Sequence, residues 1–230
     1  MFDTTFNPIS YRSASQINEA MSRVYGYMGM AVVVSLLTSM LVASSPALMA
    51  FFFTGIMKWI VIFLPLVAVF AVTMALNAEP PKPVALGLLA GFAAIMGLSM
   101  SVMFAVFTLG SIVSAFMGAA ILFGVMSFYG YFTKTSLDSM GKFMFVGLIA
   151  IIIASIINLF LGSSLFAMVI SALAIIIFLG LTAYDTQKIR EAVSMDGNDT
   201  AEVIGALTLY LDFINIFTSL LQLTGSKNSD

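Results

Sequence analysis

Apolar residues run through this chain in long blocks separated by short polar stretches. The first block covers residues 24–43 and is closed by Ser44-Ser45-Pro46. The second covers residues 51–76 and stops at the Pro-rich loop Asn77-Ala78-Glu79-Pro80-Pro81-Lys82-Pro83. From Val84 to Phe132 no charge occurs. As one helix that run would be roughly 70 Å long, against a hydrocarbon core of about 30 Å, so it turns back once. Thr108-Leu109-Gly110-Ser111 is the expected reversal. The run from Phe143 to Tyr184 needs one more, expected at Leu161-Gly162-Ser163-Ser164. A charged loop follows Asp185, and the last block covers residues 203–223.

The pattern therefore predicts an all-α membrane protein with seven transmembrane helices, over residues 24–43, 51–76, 84–107, 111–132, 143–161, 164–185 and 203–223. Residues 1–22 read as a polar cytoplasmic segment, 23–224 as the transmembrane domain and 225–230 as a short tail. Lipid dictates helix, because unpaired backbone amides are too costly there. Asp199 and Glu202 have the spacing of a capping box at the start of helix 7. Gly87-x-x-x-Gly91 allows close helix approach on helix 3.

Composition agrees: 61% of residues are hydrophobic and 9% charged, against about 45–50% and 25% in soluble domains. The chain has no Cys and no His. That excludes disulfides, thiolate catalysis, Cys or His metal sites, a Ser–His relay and a histidine pH switch. With the N-terminus inside, Arg12, Arg23, Lys82, Lys134, Lys142, Lys188 and Arg190 fall on inner segments, and Lys58 and Lys227 on outer ones. The bias places the N-terminus in the cytoplasm and the C-terminus outside.

Helix 7 carries the unusual signal. Thr208, Asp212, Asn215, Ser219 and Gln222 recur at helical spacing and form one polar stripe among apolar neighbours such as Leu211 and Ile214. A stripe with a carboxylate at its middle faces the bundle interior or water, which makes helix 7 central, surrounded by three helical hairpins. A second acid, Asp185, lies near the inner end of helix 6, beside Lys188. With the inner boundary taken near Lys188 and Glu202, Asp185 sits about 5 Å deep and Asp212 about 15 Å deep, a mismatch of about two turns. Two carboxylates in one poorly hydrated site titrate as a unit, and can hold a proton or a hard cation such as Ca²⁺. Oxygen ligands suit Ca²⁺ rather than zinc or copper.

The stretches Tyr184-Asp185-Thr186-Gln187-Lys188-Ile189 and Leu207-Thr208-Leu209-Tyr210-Leu211-Asp212-Phe213-Ile214-Asn215 resemble the transmembrane Bax inhibitor motif family in its bacterial branch. The resemblance implies a bundle built around helix 7 and a pH-sensitive Ca²⁺ leak across the bacterial inner membrane. Asp185 and Asp212 would be its pH-sensing and ion-gating pair. Ca²⁺ would be cargo, and no cofactor or catalysis is expected. It also implies a membrane-protease partner in some relatives, so a non-transporting regulator or scaffold is the alternative reading. In the family a basic residue near the inner end of helix 2 can latch onto the acids; in that region only Lys82 is basic here. An intramembrane aspartyl protease would also use Tyr-Asp on helix 6 and Asp on helix 7. Its Gly-x-Gly-Asp is replaced by Tyr210-Leu211-Asp212, and Pro46-Ala47-Leu48 lies far upstream of the place that chemistry needs.

Overall fold

The computed structural model describes residues 12–195 and 199–228. Ser13 opens α1 (Ala14–Ala43) with a capping box: its Oγ accepts from the Gln16 amide, and its own N–H donates to Gln16 Oε1 at 2.7 Å. The first helix thus starts ten residues before the apolar block, and residues 14–22, read as part of a polar segment, belong to it. Ala20, Met21 and Val24 bury the added turns. Residues 1–11 of that segment lie outside the described residues.

The second apolar block is divided. Ser45 caps a short α2 (Pro46–Phe53), with Pro46 in the first turn where a missing N–H costs nothing. Gly55, at φ +56°, makes the left-handed turn into α3 (Met57–Asn77). The continuous run of apolar residues hides this break from a hydropathy reading.

After Pro80-Pro81 come α4 (Lys82–Met100) and α5 (Val102–Val106), one span interrupted at Ser101. Thr108 then caps α6 (Leu109–Phe132), so the chain reverses at Phe107-Thr108, at the front edge of the expected turn. α7 (Asp138–Leu161) ends on Gly162 at φ +63°, and Ser163 caps α8 (Ser164–Ser194), as the Leu161–Ser164 reversal predicts. The last helix is α9 (Asp199–Thr224). Seven helices, counting α4 and α5 as one, are long and apolar enough to cross a membrane.

The bundle is built around α9. In its apolar window 67% of residues are buried, against 33% or less in every other span. It packs on α1, α3, α4, α6 and α8, whereas α7 packs on α8, and none of the α7 window is buried. Lipid is as apolar as these side chains, so close packing and polar contacts, rather than burial alone, hold the helices together. Gly97 is one such place. A Cβ there would run into the backbone of Ser35, so α1 and α4 meet nearly backbone to backbone. Ser35 Oγ donates to Ala93 O and meets Tyr210 Oη at 2.6 Å, which joins α1, α4 and α9. Gly87 and Gly91, whose spacing points to close approach, face open space instead.

At the far end of α9 the tail folds over the α5–α6 turn. Phe107 pairs with Lys227, the Thr108 amide donates to Ser226 O at 3.0 Å, and that of Asn228 to Val106 O at 2.9 Å.

Candidate functional site

α8 does not end at Asp185. The charged stretch after it stays helical to Ser194, which puts Asp185 in the body of the helix, about 14 Å from its end. Asp212 lies about 20 Å from the start of α9. The depth mismatch expected from the sequence shrinks to roughly one turn. The two carboxyl groups are near enough to interact, on the wall of one cavity. Asp212 is buried, and among the described residues its Oδ2 finds no hydrogen-bond partner.

Lys188 does not neutralise Asp185. Its Nζ lies 2.8 Å from both Asp138 and Glu191. Gln187 is equally occupied: its Oε1 accepts from the Leu137 amide at 2.9 Å, and its Nε2 donates to Thr135 O at 3.0 Å. The α6–α7 connection is thereby tied to α8 just beyond the acid.

Both acids line a cavity of about 880 Å³. Its walls are largely apolar and include Pro65 of α3, Phe92 and Met96 of α4, and Phe145 of α7. Thr208 and Asn215 share the wall with the acids, and so does Leu211, which the sequence pattern set on the apolar side. Thr208 Oγ1 donates to Ile204 O and Asn215 Nδ2 to Leu211 O, so each directs a donor back into its own helix and keeps an oxygen as acceptor. Ser219 is buried but does not line this cavity. Gln222 is exposed near the other end of α9 and accepts from Ser171 Oγ at 3.0 Å. The polar stripe is therefore one face in sequence but only its N-terminal part belongs to the cavity. Lys142 is the cationic residue on the cavity wall.

Glu202 is a charged site that the sequence reading assigned to a helix cap. Its side chain is fully buried and accepts from Arg23 through Nε at 2.9 Å and Nη2 at 2.6 Å. Lys82 Nζ lies at 3.1 Å and Arg12 Nη1 at 3.6 Å. Glu202 joins α1, the start of α4 and the segment before α1 to the N-terminal end of α9; the Asp199 side chain lies outside the described residues. Lys82 accordingly latches onto Glu202, not onto the aspartates, and its ammonium sits over the Tyr27 ring. The available signal was an acid at the start of helix 7 with basic residues at the matching ends of helices 1 and 3.

Two carboxyls in a mostly apolar cavity can share a proton or hold a hard cation. Ca²⁺ takes six to eight oxygens. Among the described residues no group of three or more acidic, His or Cys side chains could hold a metal. The oxygens on this wall are those of the two carboxyls, with Thr208 and Asn215 beside them.

Fold and site together define a class: a seven-helix membrane protein whose buried central helix contributes one acid of an intramembrane pair. Residues 17–229 match the family model described as inhibitor of apoptosis-promoting Bax1. The chain belongs to that family. It is 37% identical over 213 residues to the inner membrane protein YbhL of Escherichia coli K12, covering 90% of this chain and 91% of that one. A protein of Borreliella burgdorferi is 36% identical over 219 residues, covering 93% and 94%. YrjE of Lactococcus lactis is 35% identical over 225 residues, covering 95% of each chain.

Proposed function

We propose that this protein is a pH-sensitive Ca²⁺ leak of a bacterial cytoplasmic membrane, gated by Asp185 and Asp212 acting as one unit. The observation that carries the reading is the pair itself: two neighbouring carboxyls, one oxygen of Asp212 without a hydrogen-bond partner among the described residues, and a cavity in front of both. Nothing in a purely structural role requires two acids in largely apolar surroundings with no ion pair to either among the described residues. The proposed step is exchange. A proton bridging the carboxyls leaves no cation site, and its loss creates a doubly charged one that Ca²⁺ can occupy in transit. With no His in the chain, a response between pH 5 and 8 falls to these carboxylates. The role involves transport without catalysis.

Purified protein in liposomes, loaded with a Ca²⁺ indicator and stepped through a pH series, tests it. The reading expects Ca²⁺ entry that changes steeply with pH and is absent from empty liposomes. Equal signals with and without protein would leave the non-transporting regulator, including one that docks on a membrane protease, as the better reading.

The proposed orientation is N-terminus inside and C-terminus outside, supported by the Lys and Arg distribution. A reporter fused after Asp230 should read as external, and one between Lys134 and Lys142 as cytoplasmic. A cytoplasmic reading after Asp230 would refute this orientation.

A further inference from the structure

A second cavity, of about 560 Å³, lies between α1 and α6, on the side of α1 that Phe123 and Ser127 approach. Its composition is graded along the membrane normal. Asn18, Ser22 and Tyr131 are at the end where α1 begins and α6 finishes; Phe123, Gly124 and Phe128 lie deeper. The deep polar groups are turned inward and satisfy one another. Tyr25 Oη meets Ser127 Oγ at 2.5 Å, and Ser127 Oγ meets Thr186 Oγ1 at 3.0 Å. What the deep part offers to an occupant is therefore ring and methylene surface. At the shallow end Arg190 of α8 stacks on the Tyr131 ring at 4.9 Å and donates one Nη1–H to Tyr131 O. Among the described residues no carboxylate pairs with Arg190, and its side chain is exposed. Arg23 and Lys188, by contrast, each hold carboxylates.

We propose that this cleft is a binding site for an anionic phospholipid, with the phosphate on Arg190 beside Asn18 and Ser22, and one acyl chain along Gly124 between Phe123 and Phe128. Charge complementarity selects the headgroup: an exposed guanidinium with spare N–H groups, stacked on the Tyr131 ring that borders the cleft and whose hydroxyl donates to Asn18 Oδ1. Shape selects a chain. A Cβ on Gly124 would meet nothing within 4 Å, so the groove is open along that line although its flanks are bulky aromatics. A soluble anion would have no use for the apolar floor, and a neutral lipid none for the guanidinium.

The test uses full-length protein in detergent with equal amounts of phosphatidylglycerol and phosphatidylcholine of the same chains, read by native mass spectrometry. Wild type should carry phosphatidylglycerol in preference to phosphatidylcholine. Arg190→Gln should reduce that preference about five-fold, the effect of one cation at the membrane surface. Lys58→Gln, at the opposite end of the bundle, should leave it unchanged. Gly124→Leu should fill the groove and lower occupancy by both lipids, with far-UV circular dichroism confirming an intact fold. An unchanged lipid ratio in Arg190→Gln, or an equal fall in Lys58→Gln, would overturn the headgroup site. Full occupancy in a folded Gly124→Leu would overturn the chain groove.

Discussion

Two acids on α9, ten residues apart, meet opposite environments. Glu202 is fully buried and surrounded by cations from Arg23, Lys82 and Arg12. Asp212 is buried too, yet the charged group that acts on it is another acid, and among the described residues one of its oxygens has no hydrogen-bond partner. Burial of a carboxylate is tolerable when cations and hydrogen bonds replace water, which is the condition at Glu202. At Asp212 that condition is unmet, which supports the proposal that its pair with Asp185 does something other than hold the helices together. The difference separates a clasp from the proposed gate on one helix.

The comparison breaks most visibly if the clasp is opened. Glu202→Gln leaves Arg23 and Lys82 facing each other without their shared carboxylate. It should lower unfolding stability by roughly 3 kcal/mol, the low end for breaking a buried ion pair because both cations can still turn toward water. Thermal unfolding of the detergent-purified variant measures it. Lys82→Gln removes one of three cations and should cost about 1 kcal/mol by the same measurement, since Arg23 keeps the carboxylate paired.

The other half of the comparison is sharpened by substitutions that should do little. Asp212→Asn removes an unmatched charge and should leave the thermal midpoint equal to wild type or above it; a large destabilisation would make Asp212 a second clasp. Ile214→Val, on the packed side of α9, should cost under about 1.5 kcal/mol and leave flux unchanged. Cysteines at positions 212 and 214, in separate variants, should differ in labelling by a water-soluble reagent, with 212 the faster. Equal labelling would remove the cavity from in front of the acid.

The number of spans was legible because lipid leaves few solutions: apolar runs of a given length cross once or turn back once. Their ends were less legible. The stretch Lys188 to Ser194 carries enough charge to resemble a loop, yet it is the continuation of α8, anchored by Lys188 on Asp138 and by Arg190 on Tyr131. The early start of α1 is written in Ser13-x-x-Gln16, a local signal that the apolar block behind it overshadowed. Asp212 was legible because an acid amid apolar residues is conspicuous. Glu202 was not, since an acid at a helix start has a local explanation, and its partners Arg23 and Lys82 are 179 and 120 residues away. Pairings at that separation are made by packing, and no local pattern announces them. For the same reason the stripe from Thr208 to Gln222 could be drawn, but not where along it the cavity stops.

The central claim is that Asp185 and Asp212 act as one proton-sensitive gate. It is tested most directly by Ca²⁺ flux in proteoliposomes across a pH series for wild type, Asp185→Asn, Asp212→Asn and the double variant. Each single variant should flatten the pH dependence, and the double should be no worse than the stronger single, because groups that share one proton do not contribute independently. If both single variants insert normally and keep the wild-type pH profile, the pair is not the gate.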